Sequence, residues 1–174
     1  DRIAPAEPTD GFSGILRPYQ KEGLGWMLFL QRFGFGGCLA DDMGLGKTVQ
    51  VLALLERERE RQAAGGNGAK RLPSLVVVPR SLIFNWKQEA ARFSPELKVL
   101  EHTGKDRAKL ATTFGAFDLV LTTYGTMIRD VALLKDVRFR YAVLDEAQAI
   151  KNASAMTTKA ARLLQADHRL ALSG

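Results

Sequence analysis

Two glycines followed by a lysine and a threonine carry the clearest chemistry in this sequence. The stretch 39–50 reads Leu-Ala-Asp-Asp-Met-Gly-Leu-Gly-Lys-Thr-Val-Gln, with Gly44 and Gly46 just ahead of Lys47 and Thr48. Glycines permit a tight turn whose backbone N–H groups point inward, and a helix that begins near Lys47 adds its positive end at the same point. The pattern predicts a phosphate-binding loop in which Lys47 reaches the β- and γ-phosphates and the Thr48 hydroxyl is a ligand of Mg²⁺.

The match to the pattern G-x-x-x-x-G-K-[ST] is incomplete, because Asp41 stands where the first glycine belongs. A surface Gly-Lys turn is the alternative interpretation. The apolar run before the loop and the apolar helix pattern after it favour the phosphate loop.

A pair of acids about a hundred residues later supplies the second chemical signal. The apolar run 141–144 predicts a strand that ends on Asp145 and Glu146. In phosphoryl transfer one acid can hold the Mg²⁺ shell while the other activates the attacking water. We therefore expect Asp145 to serve the metal and Glu146 to act as the general base. The alternative is an exposed strand end that caps the following helix.

Composition describes an ordinary globular chain with a basic excess. The 174 residues are 46% hydrophobic and 25% charged, with a net charge of +6, so one domain with a real core and an anionic partner is expected. Nucleic acid is the leading candidate partner, although charge alone does not decide it.

The single cysteine, Cys38, is predicted to be a small buried hydrophobe in a reducing compartment. No apolar run is long enough to cross a bilayer, which favours a soluble intracellular domain. His102 and His168 lack partners at the spacing of zinc ligands, so no zinc site is expected.

Strand and helix patterns alternate along the chain. Apolar strand patterns cover 37–40, 75–78, 98–101, 118–122, 141–144 and 169–172, and helix patterns cover 16–30, 47–61, 81–93, 106–112, 126–134 and 156–164. This alternation predicts an α/β domain of three layers with a mainly parallel central sheet, whose site lies at the carboxyl ends of the strands.

Four local expectations accompany this assignment. Residues 1–14 are expected to form a flexible lead-in, and the Glu-Arg run 56–61 a solvated helix end steadied by opposite charges three residues apart. Ser81 is a candidate cap for the helix after it, and Trp86 is expected in the core face of that helix.

Six motifs in order resemble the Swi/Snf-type ATPases, the DNA translocases of helicase superfamily two. They are Leu-Arg-Pro-Tyr-Gln at 16–20, Ala-Asp-Asp-Met-Gly-Leu-Gly-Lys-Thr at 40–48, Val-Val-Pro at 77–79 with Trp86, Thr-Thr-Tyr at 122–124, Asp-Glu-Ala-Gln-Ala-Ile-Lys-Asn at 145–152 and Leu-Ala-Leu-Ser-Gly at 170–174. This family also has an acid at the position of Asp41. Gln148 stands where many members have His, and Asp42 where many have Glu, which is similar to bacterial or archaeal members.

The resemblance implies a RecA-like P-loop NTPase fold for residues 15–174, with ATP and Mg²⁺ as cofactors. It implies that Gln20 reads the adenine edge and that Gln148 links the γ-phosphate site to Ser173, so that Ser173 passes nucleotide state onward. The nucleotide-binding set by resemblance is Gln20, Asp41, Met43, Gly44, Leu45, Gly46, Lys47 and Thr48, with Lys47, Asp145, Glu146 and Gln148 as catalytic residues.

The resemblance also implies contacts to the backbone of double-stranded DNA, without sequence specificity. Hydroxyls, backbone N–H groups and basic side chains suit phosphate oxygens. The candidate contacts are Arg80, Ser81, Thr103, Gly104, Lys105, Arg107, Thr122, Thr123 and Tyr124.

The family continues beyond the motif at 170–174 into a second RecA-like lobe, which supplies arginines to the γ-phosphate. We therefore expect this chain to be the first of two motor lobes, monomeric, binding ATP weakly and hydrolysing it poorly by itself. The full-length protein is expected to translocate on duplex DNA and to remodel DNA-bound protein complexes, in the cytoplasm of a bacterium or archaeon or in a eukaryotic nucleus. A strand-separating or RNA-directed helicase and a non-hydrolysing nucleotide-binding scaffold are the alternatives.

Overall fold

The computed structural model describes residues 3–34, 36–40, 46–65, 71–147 and 155–173. Within those ranges six strands form one sheet: β1 Gly37–Ala40, β2 Ser74–Val78, β3 Val99–Glu101, β4 Leu119–Thr123, β5 Arg138–Leu144 and β6 Gln165–Ser173. The α-helices are α1 Pro18–Phe33, α2 Lys47–Ala64, α3 Ile83–Phe93, α4 Tyr124–Arg129, α5 Val131–Leu134 and α6 Ala155–Leu163. Two 3₁₀ helices span Arg80–Leu82 and Arg107–Ala116.

The sheet has the strand order β1-β6-β5-β2-β4-β3, and each pair of neighbours is parallel. All carboxyl ends therefore lie at one edge, where Val78 is level with Thr123 and Ala40 with Ser173. The predicted α/β fold with a parallel central sheet is confirmed, and this edge brings the predicted site residues together.

Helices cover both faces of the sheet because the buried strands are apolar on both sides. Along β2, Val76 and Val78 face the cluster that contains Trp86 and the apolar sides of α1 and α2. Alternate residues Leu75 and Val77 face the opposite cluster, which contains Met127 of α4 and the buried alanines of α6. The alternation follows the two-residue period of a strand and produces the three layers.

The first helix begins and ends where its sequence signals predict. Pro18 occupies its first turn, and Gln20 Oε1 accepts a hydrogen bond of 2.8 Å from the backbone N–H of Arg17. Gly34 ends it with a φ of 71°, a left-handed conformation that suits glycine.

No helix among the described residues is both long and apolar enough to span a membrane.

The Glu-Arg run of α2 is not a solvated helix end, so that prediction was wrong. Glu56 and Glu58 are 0% and 2% exposed. The predicted pairs exist, with Arg59 at 2.6 Å from Glu56 and Arg61 at 3.6 Å from Glu58. Arg140 of β5 adds a contact of 2.8 Å to Glu58. These arginines offset the cost of burying the two carboxylates.

The expectation of a buried first strand was also wrong. Within the described sheet β1 pairs only with β6, so it lies at an edge, and Cys38 is exposed. An apolar run of four residues does not distinguish a central strand from an edge strand.

Two helix predictions need correction as well. Helix α3 begins at Ile83 after a 3₁₀ turn and has no side-chain cap, so Ser81 does not cap it. The pattern at 126–134 forms two short helices that meet at Asp130, whose carboxylate is used elsewhere in the fold.

Residues 3–14, for which composition suggested a flexible lead-in, form no helix or strand but contact three helices. The Phe12 ring is buried and stacks on Phe93 of α3 at a centroid distance of 5.8 Å. The backbone N–H of Gly11 donates to Glu60 of α2 at 2.9 Å, and that of Ala6 donates to the carbonyl of Lys21 in α1 at 2.9 Å. These contacts place the segment against the layer that contains α1, α2 and α3.

Candidate nucleotide site and basic cleft

The start of α2 forms one wall of the candidate nucleotide site. Gly46 precedes the helix with a φ of 96°, and the helix has no side-chain cap, so its first N–H groups have no partner within the helix. Lys47 is only 6% exposed, and its ammonium group donates a hydrogen bond to the backbone carbonyl of Ser173. Lys47 thus joins the helix start to the end of β6. The other predicted loop residues, Asp41, Met43, Gly44 and Leu45, lie outside the described residues.

Helix α1 supplies a second wall. Gln20 is buried, with its side-chain oxygen on the Arg17 N–H and its amide nitrogen toward Gly46. A Cβ at Gly46 would overlap that amide nitrogen and would lie 3.2 Å from the Tyr19 hydroxyl. Glycine is therefore required where the start of α1 packs against the start of α2, because any side chain at this position would displace the Gln20 amide.

The acid pair lies at the end of β5 and is held by several hydrogen bonds. Asp145 is 6% exposed; its Oδ2 accepts from Trp86 Nε1 at 2.8 Å, and its Oδ1 accepts from the Glu146 N–H at 2.9 Å. Burial raises the pKa of the Asp145 carboxyl above its ordinary value, and these two hydrogen bonds oppose the rise. Glu146 follows with a φ of 52°, a left-handed conformation that is rare outside glycine.

Tyr124 supports the same pair from α4. Its hydroxyl donates to the backbone carbonyl of Asp145 at 2.6 Å. Burial, and after it the negative charges of Asp145 and Glu146, raise the pKa of the Tyr124 hydroxyl. The phenol therefore stays protonated at neutral pH and remains a donor.

The chemical groups at this edge fit a nucleotide phosphate with a divalent cation. The ammonium group of Lys47 and the carboxylate of Asp145 both lie at this edge, and both side chains are buried. Thr48 adds a hydroxyl one residue into α2. Carboxylate and hydroxyl oxygens are the ligands that Mg²⁺ uses in proteins. Gln148 lies outside the described residues.

A cleft of about 580 Å³ opens at the same edge of the sheet, over the carboxyl ends of β2, β4 and β3. Its lining is Arg80, Ile83, Phe84, Glu101, Thr103, Gly104, Lys105, Arg107, Thr123, Thr126 and Arg129. Among the described residues, Arg80, Lys105 and Arg129 form no ion pair, and all three are exposed. Phe84 projects from α3 with 69% of its surface exposed. The cleft thus presents positive charge and one aromatic ring to solvent.

A buried polar network fixes one wall of this cleft. His102 is 0% exposed, and its Nε2 lies 2.7 Å from Asp130. Arg107 donates two hydrogen bonds to the Asp130 carboxylate, at 2.6 and 2.9 Å, and a third to the carbonyl of Gly104 at 2.7 Å. Gly104 has a φ of 83°. The network therefore sets the backbone that presents Thr103, Gly104 and Lys105 to the cleft.

Most of the predicted nucleic-acid contacts lie in this cleft. Arg80, Thr103, Gly104, Lys105, Arg107 and Thr123 line it, and Ser81 is exposed beside Arg80. Thr122 does not reach the surface: it is 0% exposed, and its hydroxyl donates to the His102 carbonyl at 2.8 Å. Tyr124 points to Asp145, and the Arg107 guanidinium is engaged by Asp130. The side chains of Thr122, Tyr124 and Arg107 thus bond to other residues of the domain and stabilise the cleft.

The profile of the SNF2-related domain family matches residues 19–174, which is most of the chain. This chain belongs to the SNF2-related domain family. The resemblance seen in its motifs is therefore confirmed.

Relatives of this SNF2-related domain occur in bacteria and eukaryotes. It is 44% identical over 169 residues to YwqA of Bacillus subtilis, named as a putative ATP-dependent helicase/translocase, and the match spans 95% of this chain and 18% of YwqA. It is 38% identical to the chromatin-remodeling ATPase INO80 of Homo sapiens, over 94% of this chain and 11% of INO80. The chain therefore spans a fifth or less of these relatives.

A solved structure shares the fold of this SNF2-related domain. The Sulfolobus solfataricus SWI2/SNF2 ATPase core in complex with dsDNA aligns with a TM-score of 0.83 at 38% identity, over 100% of this chain and 34% of that chain. The similarity supports the predicted RecA-like topology of the lobe.

Sequence reasoning missed several residues of this SNF2-related domain. Trp86 is in the core, as predicted, but its role as a donor to Asp145 was not foreseen. A buried indole N–H needs an acceptor, so its position in the core was a usable signal. Phe84 and Arg129 of the cleft had no such signal, because exposed side chains on short helices resemble ordinary surface residues.

Proposed function

We propose that this SNF2-related domain is the ATP-binding lobe of a DNA-dependent ATPase that, as a full-length protein, moves along double-stranded DNA and remodels protein–DNA complexes. One observation carries the proposal: the buried pair Lys47 and Asp145 and the basic cleft occupy the same edge of one parallel sheet. If ATP hydrolysis is coupled to DNA binding, a site for phosphate and a site for a polyanion must lie close together. The likeness to a core structure in complex with dsDNA supports the choice of partner.

Within this proposal each residue of the site has a distinct task. Lys47 and the first N–H groups of α2 bind the β- and γ-phosphates. Thr48 and Asp145 hold Mg²⁺, which when bound neutralises developing charge on the phosphates. Glu146 orients the attacking water and accepts its proton. Gln20 contacts the base from the first turn of α1.

The DNA contacts follow from the cleft. Exposed Arg80, Lys105 and Arg129 bind phosphates of the backbone. Such contacts position the lobe on the duplex without reading bases. A second RecA-like lobe of the full-length protein would complete the nucleotide site and supply arginines to the γ-phosphate.

Hydrolysis of ATP by the full-length protein, with and without duplex DNA, tests the proposal. Duplex DNA is expected to raise the rate, and Glu146→Gln is expected to lower the stimulated rate by about 10²-fold or more while ATP still binds. Glu96→Gln, an exposed acid after α3, is the matched control and should leave the rate unchanged.

The choice of nucleic acid separates the competing functions. Greater stimulation by single strands or RNA than by duplex DNA would assign the protein to the strand-separating or RNA-directed helicases. Nucleotide binding without any hydrolysis would mean that the protein is a non-hydrolysing nucleotide-binding scaffold.

A further inference from the structure

Asp145 of the proposed nucleotide site is held by side chains from the two helices whose first turns line the basic cleft. Trp86 Nε1 donates to the Asp145 carboxylate at 2.8 Å, and the Tyr124 hydroxyl donates to the Asp145 carbonyl at 2.6 Å. Trp86 belongs to α3 and Tyr124 to α4, and both helices begin at the cleft. Two routes therefore lead from the cleft to Asp145, one through α3 and one through α4, and each ends in a single side chain.

Helix geometry explains how α3 serves both sites at once. Successive residues of a helix are rotated by about 100°, so Phe84 and Trp86 point in nearly opposite directions. Phe84 is 69% exposed in the cleft, and Trp86 is 0% exposed against Asp145. A shift of the first turn of α3 caused by a ligand of Phe84 or Arg80 would therefore move the indole that holds the carboxylate.

The start of α4 has the same two-sided arrangement. Thr123 and Thr126 line the cleft, and the Thr123 hydroxyl accepts a hydrogen bond from the Thr126 N–H at 3.2 Å. Tyr124 lies between them in sequence and points to Asp145 instead. A phosphate bound by the two threonines would tighten the turn from which the tyrosine extends.

Both routes end on one peptide group. The peptide that joins Asp145 to Glu146 receives the Tyr124 hydrogen bond on its carbonyl, and its N–H donates to the carboxylate that Trp86 holds. The same peptide leads into Glu146, whose φ of 52° is a strained conformation for a residue with a side chain. Because the surrounding core is close-packed, small displacements here are transmitted instead of being absorbed.

We propose that Trp86 and Tyr124 are positioning residues through which DNA in the basic cleft sets the geometry of Asp145 and Glu146. DNA bound along Arg80, Phe84, Thr123 and Arg129 orders the starts of α3 and α4, and the two hydrogen bonds carry that order to the acid pair. This inference rests on the proposed function, because it names the residues by which DNA controls hydrolysis at the same site.

The test compares Trp86→Phe and Tyr124→Phe in the full-length protein. Each variant removes one donor and retains an aromatic ring. Matched controls are Trp26→Phe, which changes the other tryptophan of this chain, and Tyr141→Phe, whose hydroxyl accepts from Gln31 at 3.0 Å far from the acids. Three quantities are measured for each protein: the ratio of DNA-stimulated to basal hydrolysis, the Kd for duplex DNA, and the factor by which DNA changes the Kd for a fluorescent ATP analogue.

Both test variants are expected to lower the stimulation ratio by about tenfold or more and to bring the DNA-dependent change in ATP-analogue affinity close to one. Their Kd for DNA should stay within about threefold of the wild-type value, since neither side chain lies on the cleft surface. The controls should retain the wild-type ratio and affinity change. Circular dichroism establishes that each variant is folded, and the result for Tyr124→Phe stands by itself if Trp86→Phe does not fold.

Equal losses of basal and stimulated rates, with an unchanged effect of DNA on ATP-analogue affinity, would overturn the inference, since the two side chains would then only support the fold. Failure of the proposed function is recognised separately, because in that case the wild-type protein itself shows no stimulation by duplex DNA.

Discussion

Individual side chains at the carboxyl edge of the sheet have more specific surroundings than their residue types suggested. Lys47 and Asp145 were predictable because a Gly-x-Gly-Lys-Thr run and an apolar strand ending in two acids have few other uses. Their partners were not predictable. The carbonyl of Ser173 and the indole of Trp86 come from 126 and 59 residues away, and only the folded sheet brings such distant positions together.

Gly46 allows the clearest prediction at the scale of a single residue. Gly46→Ala places a Cβ against the amide of Gln20, the side chain that is proposed to contact the base. We expect the affinity of the full-length protein for a fluorescent ATP analogue to fall by about tenfold or more, the equivalent of ~1.4 kcal/mol.

Gly34→Ala is the matched control for that experiment. Gly34 has a φ of 71°, also left-handed, but a Cβ added there would have no atom within 4 Å of it. Both variants incur the same backbone cost of about 1 kcal/mol, so an equal loss of nucleotide affinity in both would contradict a specific role for Gly46.

Helices and strands were predicted better than their boundaries and environments. Apolar periodicity placed each strand, but burial depends on which elements become neighbours. The charged run of α2 is buried because arginines of α2 itself and of β5 approach it, and the apolar strand β1 is exposed at Cys38 because it lies at an edge of the described sheet. The approach of Arg140 from β5 and the edge position of β1 are not encoded in the local pattern. The break at Asp130 between α4 and α5 likewise reflects long-range bonds to His102 and Arg107.

The network around Asp130 yields a prediction at the scale of elements. Asp130→Asn removes the charge that Arg107 and His102 share, so the full-length protein should lose roughly 3–8 °C in Tm at pH 7. Hydrogen bonds from Arg107 and from His102 lower the pKa of Asp130. The stabilisation is therefore complete above the unfolded value of about 3.9 and is lost as the pH falls through and below that value.

Thermal unfolding at pH 7 and at pH 3 distinguishes this network from ordinary surface charge. The difference in Tm between wild type and Asp130→Asn should be smaller at pH 3 than at pH 7. Asp136→Asn, an exposed aspartate after α5, should have little effect at either pH. A difference of the same size at both pH values would show that the carboxylate charge is not what stabilises the loop.

At the scale of the whole molecule, the parallel sheet separates two kinds of charge. The edge with the amino ends of the strands carries paired charges, such as Arg71 with Asp118 at 2.6 Å and Arg138 with Asp167 at 2.7 Å. The opposite edge carries Arg80, Lys105 and Arg129 in the cleft. The net charge of +6 predicted an anionic partner, but composition does not reveal where the excess lies.

Salt dependence tests this division of charge. Each of Arg80→Ala, Lys105→Ala and Arg129→Ala should weaken duplex binding and reduce the slope of log K against log salt by about one, since each removes one phosphate contact. Arg71→Ala changes the net charge of the protein equally but lies at the other edge, so its slope should match that of wild type. A similar reduction in all four variants would mean that net charge, and not the cleft, attracts DNA.

The exposed position of Cys38 has a practical consequence. Its sulphur lies 3.8 Å from the Ser173 hydroxyl, and the carbonyl of that same serine accepts the bond from Lys47. It is also the single cysteine of these 174 residues. The domain thus carries a native attachment point for a thiol-reactive fluorophore beside the proposed nucleotide site, and a dye placed there is expected to report nucleotide binding to this domain.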